Sequence, residues 1–224
     1  MISKKLAILV LNECLATGAD FAEIFIEDTN VENISLDNGN CETSTDSIIY
    51  GAGIRLLNKL QSVYGYTNDL SKNGLLKLAK TLASSFNEER KVTVTKITKV
   101  KNKYHHQPKI DYSTISKEDK IKYLLKGSDA CKNYDERIVR VIAGFLNRQQ
   151  KVYIFNSDGR YVEDTRTRGR AFISAIASNG DAIESAFEGP GASKGFEFFN
   201  QEIDFETAKK VAEKYDIEAY VKEE

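Results

Sequence analysis

The 224-residue chain carries 32 Lys and Arg against 33 Asp and Glu, for a formal net charge of −1, and is 41% hydrophobic. This composition is globular, and the balanced charge offers no field to attract a phosphate backbone, so no nucleic-acid partner is expected. The three cysteines, Cys14, Cys41 and Cys131, form no CxxC pair, so neither a zinc ribbon nor a redox motif is indicated, and free thiols in a reducing compartment are the simplest account.

Ser3 is placed to cap a first helix, with Leu6, Leu9, Val10 and Cys14 at helical spacing and Gly18 beyond its end. Its apolar stretch, 6–11, is too short to span a membrane and no small-residue cleavage site follows. A cytoplasmic protein with no membrane association is therefore expected. A strand over 21–26 has apolar residues on both faces. Residues 31–36 then form a hairpin arm, with the turn at Asp37-Asn38-Gly39-Asn40, where Asn-Gly tolerates positive φ. A longer strand over 47–57 contains Gly51 and Gly53, and 61–67 returns antiparallel after Asn58-Lys59. A second helix starts near Asp69 or Ser71 and buries Leu75, Leu78, Ala79, Leu82 and Phe86.

Residues 92–98 alternate as a strand. The polar stretch 99–114 is the expected exposed connection. Ser116 and Asp119 form a capping box for a third helix with Ile121, Leu124, Leu125 and Cys131 on its apolar face. A strand meander follows over 137–147, 151–156, 160–177 and 182–188, with turns at 156–159 and 179–181. After a loop containing Gly189, Gly191 and Gly195, Asp204 caps a last helix with Ala208, Val211, Ala212 and Tyr215 on one face. The order of elements gives an α+β fold: a largely antiparallel or mixed sheet flanked by helices.

No self-sufficient chemistry is legible. The two histidines, His105 and His106, are adjacent, so on an extended segment they point apart and cannot converge on one ion. No HExxH, HExxxH or HxxE occurs, and neither a catalytic residue nor a metal ligand is assigned. Ser157 lies in a turn signature, Asn156-Ser157-Asp158-Gly159. The loop 189–195 lacks Walker spacing. The basic runs Lys96, Lys99, Lys101, Lys103 and Arg166, Arg168, Arg170 read first as solvated faces.

Five segments, in this order, resemble the N-terminal half of the TldD/PmbA family. They are Gly18-Ala19-Asp20-Phe21-Ala22-Glu23; Tyr50-Gly51-Ala52-Gly53-Ile54-Arg55-Leu56; Gly65-Tyr66-Thr67-Asn68-Asp69-Leu70 with Gly74-Leu75; Ile154-Phe155-Asn156-Ser157-Asp158-Gly159 with Asp164, Arg166 and Arg168; and Gly195-Phe196-Glu197-Phe198. The resemblance implies a zinc metallopeptidase whose HExxxH helix and later cysteine lie in a C-terminal half absent from this sequence. Residues 1–224 are then expected to be a single N-terminal domain with no cofactor of its own, zinc belonging only to the longer enzyme. The implied partners are the C-terminal metallopeptidase domain, a homo- or hetero-dimeric subunit and an extended peptide, which the domain would position. The candidate substrate-binding residues are Arg55, Asn68, Asp69, Asn156, Asp158, Arg166 and Arg168. Asn68 and Asp69 also suit a helix cap, and Asn156 and Asp158 a turn, whereas a strand has no local need for the three arginines. The competing reading is a stand-alone peptide- or protein-binding module.

Overall fold

Ser3 sets the first element: its side chain accepts the backbone N–H of Leu6 and starts α1 (Lys4–Cys14). The computed structural model describes residues 1–101 and 107–199. In chain order there follow β1 (Phe21–Asp37), β2 (Asn40–Asn58), β3 (Gln61–Thr67), α2 (Lys72–Ala83), β4 (Thr98–Lys99), a 3-10 turn (Tyr112–Thr114), α3 (Lys117–Lys132), β5 (Ile138–Asn156), β6 (Arg160–Ser178), β7 (Ile183–Glu188) and β8 (Gly191–Ala192). The eight strands form one sheet in the order β3-β2-β1-β5-β6-β4, with β7 and β8 also paired to β6. The β2–β3, β6–β7 and β6–β8 ladders are antiparallel, whereas β4 runs parallel to β6. The α+β class expected from the order of elements is observed.

The turns follow their local chemistry. Asn38 and Gly39 adopt φ of 47° and 79°, Lys59 lies at 54°, and Gly159 and Gly180 at 76° and 100°. Ser71 caps α2 and Ser116 caps α3, where Asp119 Oδ2 accepts the Ser116 hydroxyl at 2.9 Å. The helix expected after Asp204 lies outside the described residues, as do His105 and His106.

Three expectations about strands need correction. Residues 21–26 and 31–36 are not separate strands but parts of the continuous β1. Likewise, 137–147 and 151–156 are one strand, β5. The polar residues that suggested breaks are hydrogen-bonded instead. Asn147 donates to Glu32, Gln149 to Asp111 at 2.8 Å, and Gln150 to Glu27 at 2.9 Å. The third correction concerns 92–98, of which only Thr98 enters a ladder. There the Asn12 side chain replaces a neighbouring strand: its Oδ1 accepts Val94 N–H and its Nδ2 donates to Val94 C=O, both at 2.9 Å.

The described residues gather into two compact units, one drawn from 1–29, 48–101 and 150–165 and the other from 30–47, 107–149 and 166–199. The first unit is a sheet layer covered by α1 and α2. Ala22, Ile24 and Ile26 of β1 and Ala52, Ile54 and Leu56 of β2 are buried with Val10 and Leu11 of α1 and Leu75 and Ala79 of α2. Cys14 sits in this core, and burial pushes its thiol up to about 12, so it is an inert apolar residue.

In the second unit Ile34, Leu36, Ala143, Phe145 and Ala171 of the sheet pack with Leu124 of α3 and with Tyr112, Phe196 and Phe199. Lys120, 4% exposed, reaches Glu32 at 2.5 Å and lies 5.8 Å from the Phe145 ring centroid. Breaking such a buried pair is far more costly than its net contribution suggests. Glu197 is buried and accepts the N–H groups of Lys109 (3.1 Å), Ile110 (2.8 Å) and Gly195 (3.0 Å). The 107–114 end of the polar connection is thereby anchored. Tyr112 donates to Lys194 C=O at 3.0 Å, and its hydroxyl occupies the space a Cβ on Gly169 would need.

Burial alone would raise the Glu197 carboxyl, but the three N–H donors outweigh it and hold the group below its usual 4.5. Its stabilisation is therefore complete above that value and lost as pH falls through the lower folded-state value. Glu197→Gln should lower stability at pH 7 by about 1–3 kcal/mol. In denaturant titrations the gap between parent and variant should narrow below about pH 4.5; a pH-independent gap would contradict this role. Gly169→Ala should cost about 1–3 kcal/mol through overpacking, with partial recovery in the Gly169→Ala/Tyr112→Phe double variant.

Candidate functional site

The candidate residues divide between the two units. In the first, Ala52, Ile54 and Leu56 point into the core, which leaves Gly51, Gly53 and Arg55 on the other face of β2. Arg55 pairs in register with Tyr64 of β3, and a Cβ on Gly53 would lie 2.5 Å from the Tyr64 hydroxyl. Gly53 thus leaves room for the Tyr64 ring, while a Cβ on Gly51 would crowd Thr67 C=O. Arg55 meets Glu23 of β1 at 3.4 Å, with side-chain exposures of 48% and 27%.

Asp69 organises the entry to α2. Its Oδ1 accepts Ser71 N–H at 2.9 Å, its own N–H donates to Thr67 Oγ1 at 3.0 Å, and its carboxyl crowds Gly74 so closely that no Cβ fits there. The hydrogen bonds from Ser71 hold its carboxyl below the ordinary value. Asn68 is exposed beside it. Asn156 Oδ1 accepts Arg160 N–H at 3.1 Å and closes the β5–β6 turn, with Asp158 exposed at its tip. Ser157, read as a plain turn residue, does more: its N–H donates to Ala22 C=O at 2.9 Å and its Oγ accepts Ala22 N–H at 3.0 Å. It ties the turn to the start of β1.

In the second unit Arg166, Arg168 and Arg170 are exposed at alternate positions of β6, while Thr167, Gly169 and Ala171 between them are buried. The three guanidinium groups therefore share one face. Arg170 has a structural role: its Nε donates to Gly189 C=O at 3.1 Å, and its guanidinium lies 5.4 Å from the Phe187 ring centroid. Thr167 was not legible in the sequence. It is 1% exposed, and its Oγ1 has no hydrogen-bond partner among the described residues.

Among the described residues no group of three His, Cys, Asp or Glu is placed to hold a metal ion, so these residues do not fit a zinc site. No described helix is long and apolar enough to cross a membrane.

The geometry defines an α+β protein with exposed strand edges, arginines on strand faces and no assembled catalytic group among the described residues. Comparison with known proteins places it further. Residues 110–215 match the PmbA/TldA metallopeptidase central domain and residues 22–86 match PmbA/TldA metallopeptidase domain 1. The chain belongs to the PmbA/TldD metallopeptidase family. It is 20% identical over 189 residues to a metalloprotease TldD homolog of Buchnera aphidicola, covering 84% of this chain and 39% of that protein. A proposed modulator of DNA gyrase from Bacteroides thetaiotaomicron has the same fold, with a TM-score of 0.75 and 17% identity over 96% of this chain and 50% of that one. TldE from Thermococcus kodakarensis superposes with a TM-score of 0.63 and 13% identity, covering 94% and 45% of the two chains. The chain thus spans half or less of the length of these relatives.

Two substitutions separate local structure from any further role. Ser157→Ala should lower stability by about 1 kcal/mol, because the Ala22 amide loses its side-chain acceptor. Arg55→Ala should change it by less than about 1 kcal/mol, since the Glu23 pair is largely solvated. Chemical denaturation reads both; an Arg55 effect several times larger would make this pair a structural element.

Proposed function

We propose that this chain is the substrate-positioning and assembly part of a zinc metallopeptidase that acts on extended peptides in the cytoplasm, working with a C-terminal metal-binding domain and a homo- or hetero-dimeric partner subunit. The observation that carries this reading is family membership over 22–86 and 110–215 in a chain whose described residues offer no metal-ligand cluster. Likeness to a TldD metalloprotease homolog supports zinc in the longer enzyme. That ion would supply the activated water and polarise the scissile carbonyl.

The contribution of this chain is geometric. A peptide must be extended for one carbonyl to reach a metal centre, and an open strand edge holds an extended chain through main-chain hydrogen bonds. Arg55, Arg166 and Arg168 supply fixed forks of donors for carboxylates or carbonyls of a peptide or partner. Asn68, Asp69, Asn156 and Asp158 shape the turns and the helix entry that carry these strands. The net charge of −1 favours a peptide over a nucleic acid as the bound polymer.

The chain, equilibrated with zinc and dialysed, should retain substoichiometric metal by elemental analysis. It should leave unfolded peptides uncleaved yet bind them saturably in a calorimetric titration. One zinc held per chain together with chelator-sensitive cleavage would contradict the reading, as would the absence of any peptide binding.

A further inference from the structure

Strand β3 ends the sheet: Gln61–Thr67 pair with β2 without interruption, and no strand lies on the other side among the described residues. One hydrogen bond fixes which peptide groups of β3 face outward. Leu57 C=O accepts Asp20 N–H at 2.9 Å and so points away from β3. A pleated strand directs the peptide groups of every second residue to the same edge, so Ala52, Ile54, Leu56 and Asn58 face β3. Their register partners are Thr67, Gly65, Val63 and Gln61. The main-chain N–H and C=O of Ser62, Tyr64 and Tyr66 therefore face outward.

The two aromatic side chains of this set stand clear of the core. Tyr64 lies opposite Arg55 and Tyr66 opposite Gly53, on the face away from α1 and α2, and they are 63% and 80% exposed. The strand itself is held in place. Val63 packs on the core, a Cβ on Gly65 would lie 2.9 Å from Leu78 of α2, and Asp20 Oδ2 accepts Lys59 N–H at 2.8 Å in the turn before β3. Folded proteins protect such an edge with a charge, a proline or a bulge. Gln61–Thr67 contains no Lys, Arg, Asp, Glu or Pro, and its register has no bulge. Charge is confined to the flanks: exposed Lys59, with Glu88 in electrostatic range, before the strand and exposed Asp69 after it.

We propose that the outer edge of β3 is a β-addition site for an extended peptide carrying aromatic side chains at alternate positions, with a basic residue before them and an acidic residue after them. The assignment rests on the peptide-positioning reading above and specifies its substrate class. The added strand runs antiparallel to β3 and exchanges main-chain hydrogen bonds with Ser62, Tyr64 and Tyr66. Residues opposite Tyr64 and Tyr66 share their face of the sheet, so two aromatic side chains of the peptide meet the two exposed rings. Antiparallel pairing sets the start of the peptide beside Asp69 and its end beside Lys59, which assigns the two charges. In the parallel direction each charge would face its own sign.

The test uses the 224-residue chain and labelled peptides. The first is Lys-Thr-Tyr-Thr-Tyr-Thr-Glu; the others replace both Tyr by Ser, exchange Lys and Glu, or carry N-methyl groups on Tyr and Glu. Fluorescence anisotropy should show the first peptide binding about tenfold more tightly than the Ser peptide and about two- to threefold more tightly than the exchanged one. The N-methylated peptide should lose binding, and hydrogen exchange should slow at Ser62, Tyr64 and Tyr66 when the first peptide is bound. Tyr66→Ser should weaken binding about fivefold with the melting temperature unchanged, because the ring is exposed. Ser62→Pro, which removes an outward N–H and leaves the bonds to β2 in place, should weaken it by a similar factor. Equal binding of the Tyr and Ser peptides, or protection confined to another strand, would overturn this site while leaving peptide positioning intact. Sedimentation showing a dimer of the chain that Ser62→Pro abolishes would also overturn it, because a second copy would then hold the edge. Absence of binding by every peptide would overturn both.

Discussion

A carboxylate removed from water is costly unless hydrogen bonds replace its hydration. Glu197 meets that requirement with the N–H groups of Lys109, Ile110 and Gly195, and much of the second unit depends on the arrangement. It joins the segment before the 3-10 turn to the segment after β8. With both ends held, Tyr112 reaches Lys194 C=O and lies over Gly169, while Phe196 and Phe199 complete the aromatic core beside Phe145. Gly169 can accept the Tyr112 hydroxyl only because it lacks a side chain, and this same residue begins the β8 ladder.

The first unit relies on a different device. Side chains take up main-chain groups where ladders and turns leave them: the Asn12 amide against Val94, the Ser157 hydroxyl against Ala22, and the Asp69 carboxylate against Ser71 at the entry to α2. Each satisfies main-chain groups at an edge or turn that would otherwise require water. The family-like segments around these residues are thus partly accounted for by folding. Arg55 is not accounted for in the same way, since its solvated pair with Glu23 does not fix a strand.

What the sequence reveals depends on the range of the interaction. Helix starts at Ser3, Ser71 and Ser116 and the turn at Asn38-Gly39 were legible because caps and positive-φ turns are set within three or four residues. The full lengths of β1 and β5 were not. Their polar interruptions are held in the strand by partners 38 to 123 positions away, such as Asp111 for Gln149 and Glu27 for Gln150. Lys120 was hidden for the same reason, since only its Glu32 partner, 88 positions distant, makes its burial tolerable. At the candidate site the arginines were visible as residues without local purpose. Thr167 was invisible, because an unsatisfied hydroxyl is a property of the packed structure and not of the residue type.

The central claim is that this chain positions an extended peptide for a metal centre carried elsewhere in the longer enzyme. A crystal structure of the chain with a bound extended peptide tests this most directly. The account predicts a peptide held extended by main-chain hydrogen bonds to a strand edge, with Arg55 or Arg168 beside it. A structure in which no peptide binds, or in which it lies away from every strand edge, would contradict it.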